Sequence, residues 1–337
     1  MYVRTDSDNT TVISPRVRGS ASLSERTRAD ATYAADIWSS ASVDIRASAS
    51  VRPVTEQRDE LDLQLSHELE DLQLHGGYRF SIEHDYTSHG GSLGGRLELA
   101  NNAATLEADL HVIADTVGQS GHPEFARSLT TIDGSLSFTQ VLDPAMFAQL
   151  TYELAYNSGY QASPYRYVGA GGTGFGCVDA GPCLPEHVPE TRMRHAIALV
   201  LRRALSEAAS LGVSYRFYLD DWALRSHTVL AELGWNVGAE TLLSFRYRFY
   251  TQGAVEFYRA VYETLAADTL RTRDRELSAL IYQRAGAELE HAFGVGARDT
   301  TLALTLAVSG NLYSYADFVG LREVFALEVS AGLMVRM

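Results

Sequence analysis

Apolar and polar residues alternate almost without a break from residue 10 to the C-terminus of this 337-residue chain. Leu61, Leu63, Leu65 and Leu69 share one parity, while Glu60, Asp62, Gln64, Ser66 and Glu68 hold the other. After Glu70 and Asp71 the pattern restarts, with Leu72, Leu74, Tyr78, Phe80 and Ile82 set against Gln73, His75, Arg79, Ser81 and Glu83. Leu211, Val213, Tyr215 and Phe217 repeat it, as do Leu302, Leu304, Leu306 and Val308. A period of two, repeated this often, specifies strands and not helices. The segments run about ten to fourteen residues, where soluble strands run about five or six and a tilted membrane-crossing strand needs about ten. One short helix is expected, over residues 255–267.

The links between these segments alternate in length. Those at 24–26, 70–71, 101–103, 142–145, 205–207, 236–239 and 294–297 are tight and rich in turn-forming residues, while long ones fall at 40–53, 118–127, 159–190 and 253–271. Short periplasmic turns facing long extracellular loops are the usual asymmetry of outer-membrane barrels. With a short first strand at residues 2–6, the segments number about sixteen, an even count that returns both termini to one side. The expected fold class is therefore all-β: one transmembrane antiparallel β-barrel of about 16 strands, a single domain over residues 1–337.

Composition alone points elsewhere. Mean hydropathy is −0.10, 46% of residues are hydrophobic and the net charge is −14, values that suit a soluble protein. No apolar run long enough for a transmembrane helix occurs. A barrel passes that test unnoticed, because each strand shows lipid only every second residue. Tyr152, Tyr156, Tyr215, Phe217, Trp235, Tyr247 and Phe249 fall on lipid-facing positions near strand ends, where an aromatic girdle belongs. His67, His195, His227 and His291 share that parity and read as interfacial residues. Pro15 lies within strand two, beside the short first strand, where a missing ladder donor is tolerated. The start, Met1-Tyr2-Val3-Arg4, has no basic stretch followed by an apolar core. It reads either as a mature form whose signal peptide has been removed or as a cytosolic start, and the barrel pattern favours the bacterial outer membrane.

The inward parity carries the charge. From strand four to strand nine it is mainly acidic, with Glu60, Asp62, Glu83, Glu98, Glu107, Asp109, Asp133 and Glu153, interrupted by Arg79 and Arg96. Strands two and ten to thirteen place Arg16, Arg18, Arg194, Arg202, Arg216, Arg246 and Arg248 inward. Strands half the count apart face each other in a closed barrel, so an acidic wall is expected opposite an arginine wall. Such walls either set a transverse field across a water-filled channel or pair with each other and with an inward loop. All 28 basic residues are arginine, which reflects composition more than function.

Other motifs yield to simpler readings. Cys177 and Cys183 lie close together in a Gly-rich segment and suit a disulfide in an oxidising compartment, since only His187 is near enough to join them in a metal site. Residues 169–176, Gly-Ala-Gly-Gly-Thr-Gly-Phe-Gly, lack the strand and helix that a phosphate loop requires, and read as an external loop pinned by those cysteines. Asp220-Asp221 and His84-Asp85 fall near the external rim, where proteases of the omptin type activate water with Asp–Asp and Asp–His pairs. Those enzymes use a smaller barrel, and no Ser–His–acid arrangement is identifiable here. The Ser/Ala-rich stretch 39–50 is either packed against the wall or solvated.

Two stretches carry resemblances. The segment from Asp36-Ile37-Trp38-Ser39-Ser40-Ala41-Ser42-Val43-Asp44 through Ala47 and Ser50 to Val54-Thr55-Glu56-Gln57-Arg58, with the opening Tyr2-x-Arg4 and Thr11-Val12-Ile13-Ser14-Pro15, resembles a family of bacterial outer-membrane barrels labelled a domain of unknown function. That resemblance implies the same architecture and supplies no activity. Residues 325–337 resemble the signal read by the outer-membrane insertion machinery, although they end in Met337 where that signal has an aromatic residue.

The functional expectation is a porin-like channel passing small polar or charged solutes, without covalent chemistry, cofactor, metal or nucleic-acid partner. Membrane lipids and the insertion machinery are the expected partners, with a protein partner in the lumen or at the loops left open. The alternatives are a scaffold sleeve that houses or anchors a lipoprotein, filament subunit or cytochrome, and, more remotely, a barrel hydrolase.

Overall fold

The computed structural model describes residues 1–40, 54–170, 183–294, 301–318 and 320–336. One antiparallel sheet contains seventeen hydrogen-bonded segments, and two of these, Thr10–Ser14 and Arg16–Ser22, are a single strand interrupted at Pro15, which gives sixteen. In order they are β1 (Tyr2–Asp6), β2 (the two segments just named), β3 (Thr27–Ser40), β4 (Val54–Leu69), β5 (Leu72–Ile82), β6 (Tyr86–Leu99), β7 (Ala104–Gly118) and β8 (Ala126–Asp143). The second half comprises β9 (Met146–Gly159), β10 (Thr191–Ala204), β11 (Ala209–Asp220), β12 (Arg225–Val237), β13 (Thr241–Gln252), β14 (Leu280–Gly294), β15 (Thr301–Tyr315) and β16 (Glu323–Arg336). Each strand pairs with its sequence neighbours, and β1 closes the ring between β16 and β2.

Register explains why the alternation is strict. Leu69 pairs with Leu72 around the two-residue turn Glu70–Asp71, and Asp62 then meets Arg79 while Leu61 meets Phe80. A slip of one residue would send every charge into lipid and every leucine into water. Turn chemistry fixes that register. Asn101 and Asn102 close the β6–β7 turn at φ 53° and 65°, and Gly238 the β12–β13 turn at 75°. Asn and Gly adopt this left-handed region at low cost. At Pro15 the ladder lacks a donor, yet the Pro15 carbonyl still accepts from the Ala35 N–H, and the pairing with β3 keeps one register on both sides.

The outward parity is apolar and exposed, including Leu63, Leu65, Leu306, Val308, Val329 and Trp235. In a barrel of this length, lipid covers that face. Its loop-side edge carries a repeated pair. The Tyr78 hydroxyl hydrogen-bonds with His89 Nδ1 at 2.7 Å, Tyr152 with His195 at 2.8 Å and Tyr215 with His227 at 2.7 Å. At the turn-side edge, Thr27 and Thr241 hold His67 and His291 in the same way. These histidines therefore sit at the two edges of the apolar band, each with a hydroxyl partner.

The long connections lie at one end of the barrel, together with three short ones at residues 7–9, 83–85 and 221–224. The compact apolar core is there as well, and not within the wall. Val188, Trp222, Leu224, Val255, Phe257 and Tyr258 bury against one another. The helix expected over residues 255–267 does not form. The segment is bends and turns, and the helical turn after it is the 3-10 turn Arg275–Leu277, capped by the Asp274 side chain. Val255, Phe257 and Tyr258 all point into the cluster, a spacing that no single helix stripe provides. Backbone bonds are instead made outward, from Glu256 to Trp222 and between Arg271 and His187.

Candidate functional site in the lumen

The inward residues of the sixteen strands line one space. On β4 to β9, Glu60 accepts from Arg58 at 3.1 Å and from Arg79, and Asp109 lies 2.7 Å from His75 Nε2 and 3.3 Å from the Ser135 hydroxyl. Glu98 sits 3.8 Å from Arg96, and Glu153 accepts from Arg216. Asp62, Glu107 and Asp133 form no ion pair among the described residues, and lie in register with Arg79, Arg96 and His111 respectively. Glu83 lies just past β5, in the connection 83–85, where burial raises its carboxyl pKa.

The arginine side differs from a plain basic wall, because it carries its own acids. Arg202 donates to Glu232 at 2.8 Å, Glu232 also accepts from Arg246 at 2.6 Å, and Arg246 reaches Glu288 at 3.0 Å. Next to this ladder Arg284 meets Glu328 at 2.8 Å. On β2, Arg18 donates to Asp30 at 3.0 Å, while Arg16 makes no ion pair among the described residues. Arg194 lies beside Asp220 in register with its Nε buried and unpaired. Arg248 has an aromatic partner only, its guanidinium 5.7 Å from the Tyr282 ring centre. Glu232, Glu288, Glu328, Arg284 and Asp30 were not among the residues singled out from sequence. Their inward parity was visible, but the cross-strand offsets that place acid beside base come from register.

Accessibility changes along the axis. Side chains of Arg202, Arg246 and Arg284 keep about half their surface exposed, whereas Glu186 and Asp220 at the loop end are sealed. The seal is the folded connections. Arg166 bridges Asp274 at 2.9 Å and Glu186 at 3.6 Å, and the Thr272 hydroxyl donates to Glu186. Arg275 reaches Asp8 at 2.7 Å, the Tyr258 hydroxyl donates to the Asp317 carbonyl at 3.0 Å, and the Tyr165 hydroxyl donates to Asp85. The connections after β9 and β13 are thus tied to those after β1, β5, β11 and β15, across the mouth.

Two of the rim carboxylates that suggested hydrolysis, Asp220 and Asp85, are committed to this cover. Asp220 accepts from Arg192 Nε at 2.9 Å, from the Tyr218 hydroxyl at 2.8 Å and from the N–H groups of Trp222 and Leu224. Asp85 holds Tyr165 and the Ser120 N–H. Cys183 opens the short strand Cys183–Pro185, which pairs with Tyr167–Gly169. No cysteine is free among the described residues, and Cys177 lies outside them, as do most of the Gly-rich run 169–176 and of the stretch 39–50.

Comparison with known proteins adds the family and the fold. The chain matches the family described as "Protein of unknown function (DUF3570)" over residues 46–281, which begins behind much of the stretch that carried the sequence resemblance. No curated protein matches it. Among solved structures, a bacterial polysaccharide outer membrane secretin superposes with a TM-score of 0.53 at 8% identity, over 97% of this chain and 95% of that one. The siderophore receptor PirA from Pseudomonas aeruginosa superposes with a TM-score of 0.50 at 11% identity, over 97% of this chain and 60% of the receptor. The chain therefore spans about 60% of the receptor's length. At these identities the likeness is one of fold, that of an outer-membrane β-barrel.

Proposed function

The chain belongs to the DUF3570 family of proteins of unknown function, and for this member we propose a pore of the bacterial outer membrane that passes small polar or charged solutes under a folded loop cover. The observation that carries this reading is the solvent-exposed ladder of inward charges below the cover. Paired charges that stay half exposed are held in water, not in a packed interior, because a dry lumen would impose a desolvation penalty of several kcal/mol per ion. Sixteen strands leave room for such a channel. The barrel fold, with its apolar outward band, supports the outer-membrane location.

The field in such a lumen is uneven. Asp62, Glu107 and Asp133 make no ion pair among the described residues, while Arg202, Arg246 and Arg284 are offset by Glu232, Glu288 and Glu328. Solutes would then pass a net acidic arc, which favours cations in the lower lumen. Recording from the purified chain in planar bilayers tests the reading. Discrete conductance steps with cation preference, reduced in Glu107→Gln/Asp133→Asn, are expected. A silent barrel that copurifies with another chain would replace the pore with a sleeve.

A further inference from the structure

Arg248 makes no ion pair among the described residues, and its one ring contact there is with Tyr282. Two residues away on the same face, Arg246 has Glu232 and Glu288. Arg248 stands in register between Leu230 on β12 and Arg284 on β14, and Arg284 is committed to Glu328. Like charges placed directly across a ladder repel, so this position is unfavourable without an anion. Arg248 is exposed to the lumen and lines a recess of about 430 Å³ directly beneath the 3-10 turn of the loop cover.

Four tyrosines line the same recess, Tyr250, Tyr282, Tyr313 and Tyr315. Tyr282 and Tyr313 face each other with ring centres 4.6 Å apart, and the Tyr282 hydroxyl donates to Asn311, which is fully buried and fixes the ring. Arg4 lies over the Tyr313 ring at 5.5 Å, and its buried Nε has no hydrogen-bond partner. Of the two carboxylates in the lining, Asp6 accepts the N–H groups of Asp8 and Thr10 and lies 3.7 Å from the Arg4 guanidinium, and Glu276 belongs to the 3-10 turn. Arg248 and Arg4 thus flank a fixed pair of stacked tyrosines, while the third arginine of the lining, Arg275, is engaged by Asp8.

We infer that this recess binds a small organic anion with a flat ring, an aromatic carboxylate, its carboxylate on Arg248 with Arg4 beside it and its ring against the Tyr282–Tyr313 pair. A guanidinium fork pairs with a carboxylate through two N–H groups, and an edge-on aromatic contact with the tyrosine pair favours a flat ring over a saturated one. The inference rests on the pore reading only in taking the lumen as the ligand's route.

Isothermal titration of the full chain in detergent micelles tests it, with sodium benzoate, cyclohexanecarboxylate and benzylammonium as probes. Benzoate is expected to bind one site, cyclohexanecarboxylate more weakly and benzylammonium not at all. Arg248→Gln should weaken benzoate roughly tenfold or more, the loss of one charge-assisted pair. Arg248→Lys should retain part of the affinity, which separates a lost contact from a lost fold. Tyr282→Leu should remove the preference for benzoate over cyclohexanecarboxylate, and Arg202→Gln, outside the recess, should change neither. Absent benzoate binding, equal binding by Arg248→Gln, or equal binding of benzylammonium overturns the site. Conductance measured on the same protein keeps the two proposals apart. A conducting barrel that ignores benzoate loses the site and keeps the pore, and a silent barrel that binds benzoate loses the pore and keeps the site.

Discussion

Arg166 donates to Asp274 at 2.9 Å across 108 residues of chain, and this pair joins the two longest described connections over the barrel mouth. Both side chains are largely withdrawn from water. Removing one partner leaves a partly buried charge, a loss of about 1–3 kcal/mol in the local stability of the cover. Arg166→Met and Asp274→Asn should each raise proteolytic cleavage within residues 254–279, and the double variant should add little to either. Additive effects would show that the two side chains act separately.

The cover should also respond to pH. Burial holds the Glu186 carboxyl above its usual range, against Arg166 and the bonds from Thr272 and Ser163, which act the other way. A carboxyl with a raised folded pKa binds its proton more tightly when the cover is folded. Its stabilising contribution is complete below the unfolded pKa of about 4.3 and is lost as pH rises through the raised value. Hydrogen exchange in residues 254–279 should therefore quicken with pH beyond its intrinsic rate, and Glu186→Gln should flatten that excess. The opposite trend would rule Glu186 out as its source.

Asp220 is the knot of the β11–β12 connection, with Arg192, Tyr218 and two backbone N–H groups on one carboxylate. Asp220→Ala orphans all four, an expected loss of about 2–4 kcal/mol. Trp222, whose indole donates to the Thr191 carbonyl and packs on Phe257, is the natural reporter. Its fluorescence should shift red at a lower denaturant concentration in Asp220→Ala than in Asp220→Asn. Coincident curves would assign the turn's stability to other contacts.

Adjacent residues of β15 separate the two faces of the wall. Val308 is exposed on the lipid side, while Ala307 lines the lumen beside Glu288. Arginine at a lipid-facing mid-strand position costs about 2–4 kcal/mol, and far less where water reaches it. Val308→Arg should fold into bilayers with that deficit and Ala307→Arg with little, as read by equilibrium refolding in guanidinium. A reversed order would overturn the assignment of faces.

Period and turn chemistry made the wall legible from sequence. Leu61, Leu63 and Leu65 against Glu60, Asp62 and Gln64 already determine which face meets lipid, and Pro15 already marks the break in β2. The lumen was legible only in its parity. That Arg246 is enclosed by Glu232 and Glu288 while Arg248 is left beside Arg284 depends on pairing offsets between strands, which no single strand reveals. The cover was least legible. Val255, Phe257 and Tyr258 suggested a helix because their partners Val188 and Trp222 are remote in sequence, and long-range burial overrode local propensity.

The five-residue β1 has a mechanical consequence. It joins residues 326–330 of β16 to residues 11–14 of β2, and β1–β16 is the one seam of the described wall whose strands are remote in sequence. The hoop is fastened by that clasp, since every other strand of the wall is knitted to the one before it in sequence. A cylinder so fastened stays an open sheet until its last strand arrives, and its two edges must meet before lipid can enclose it.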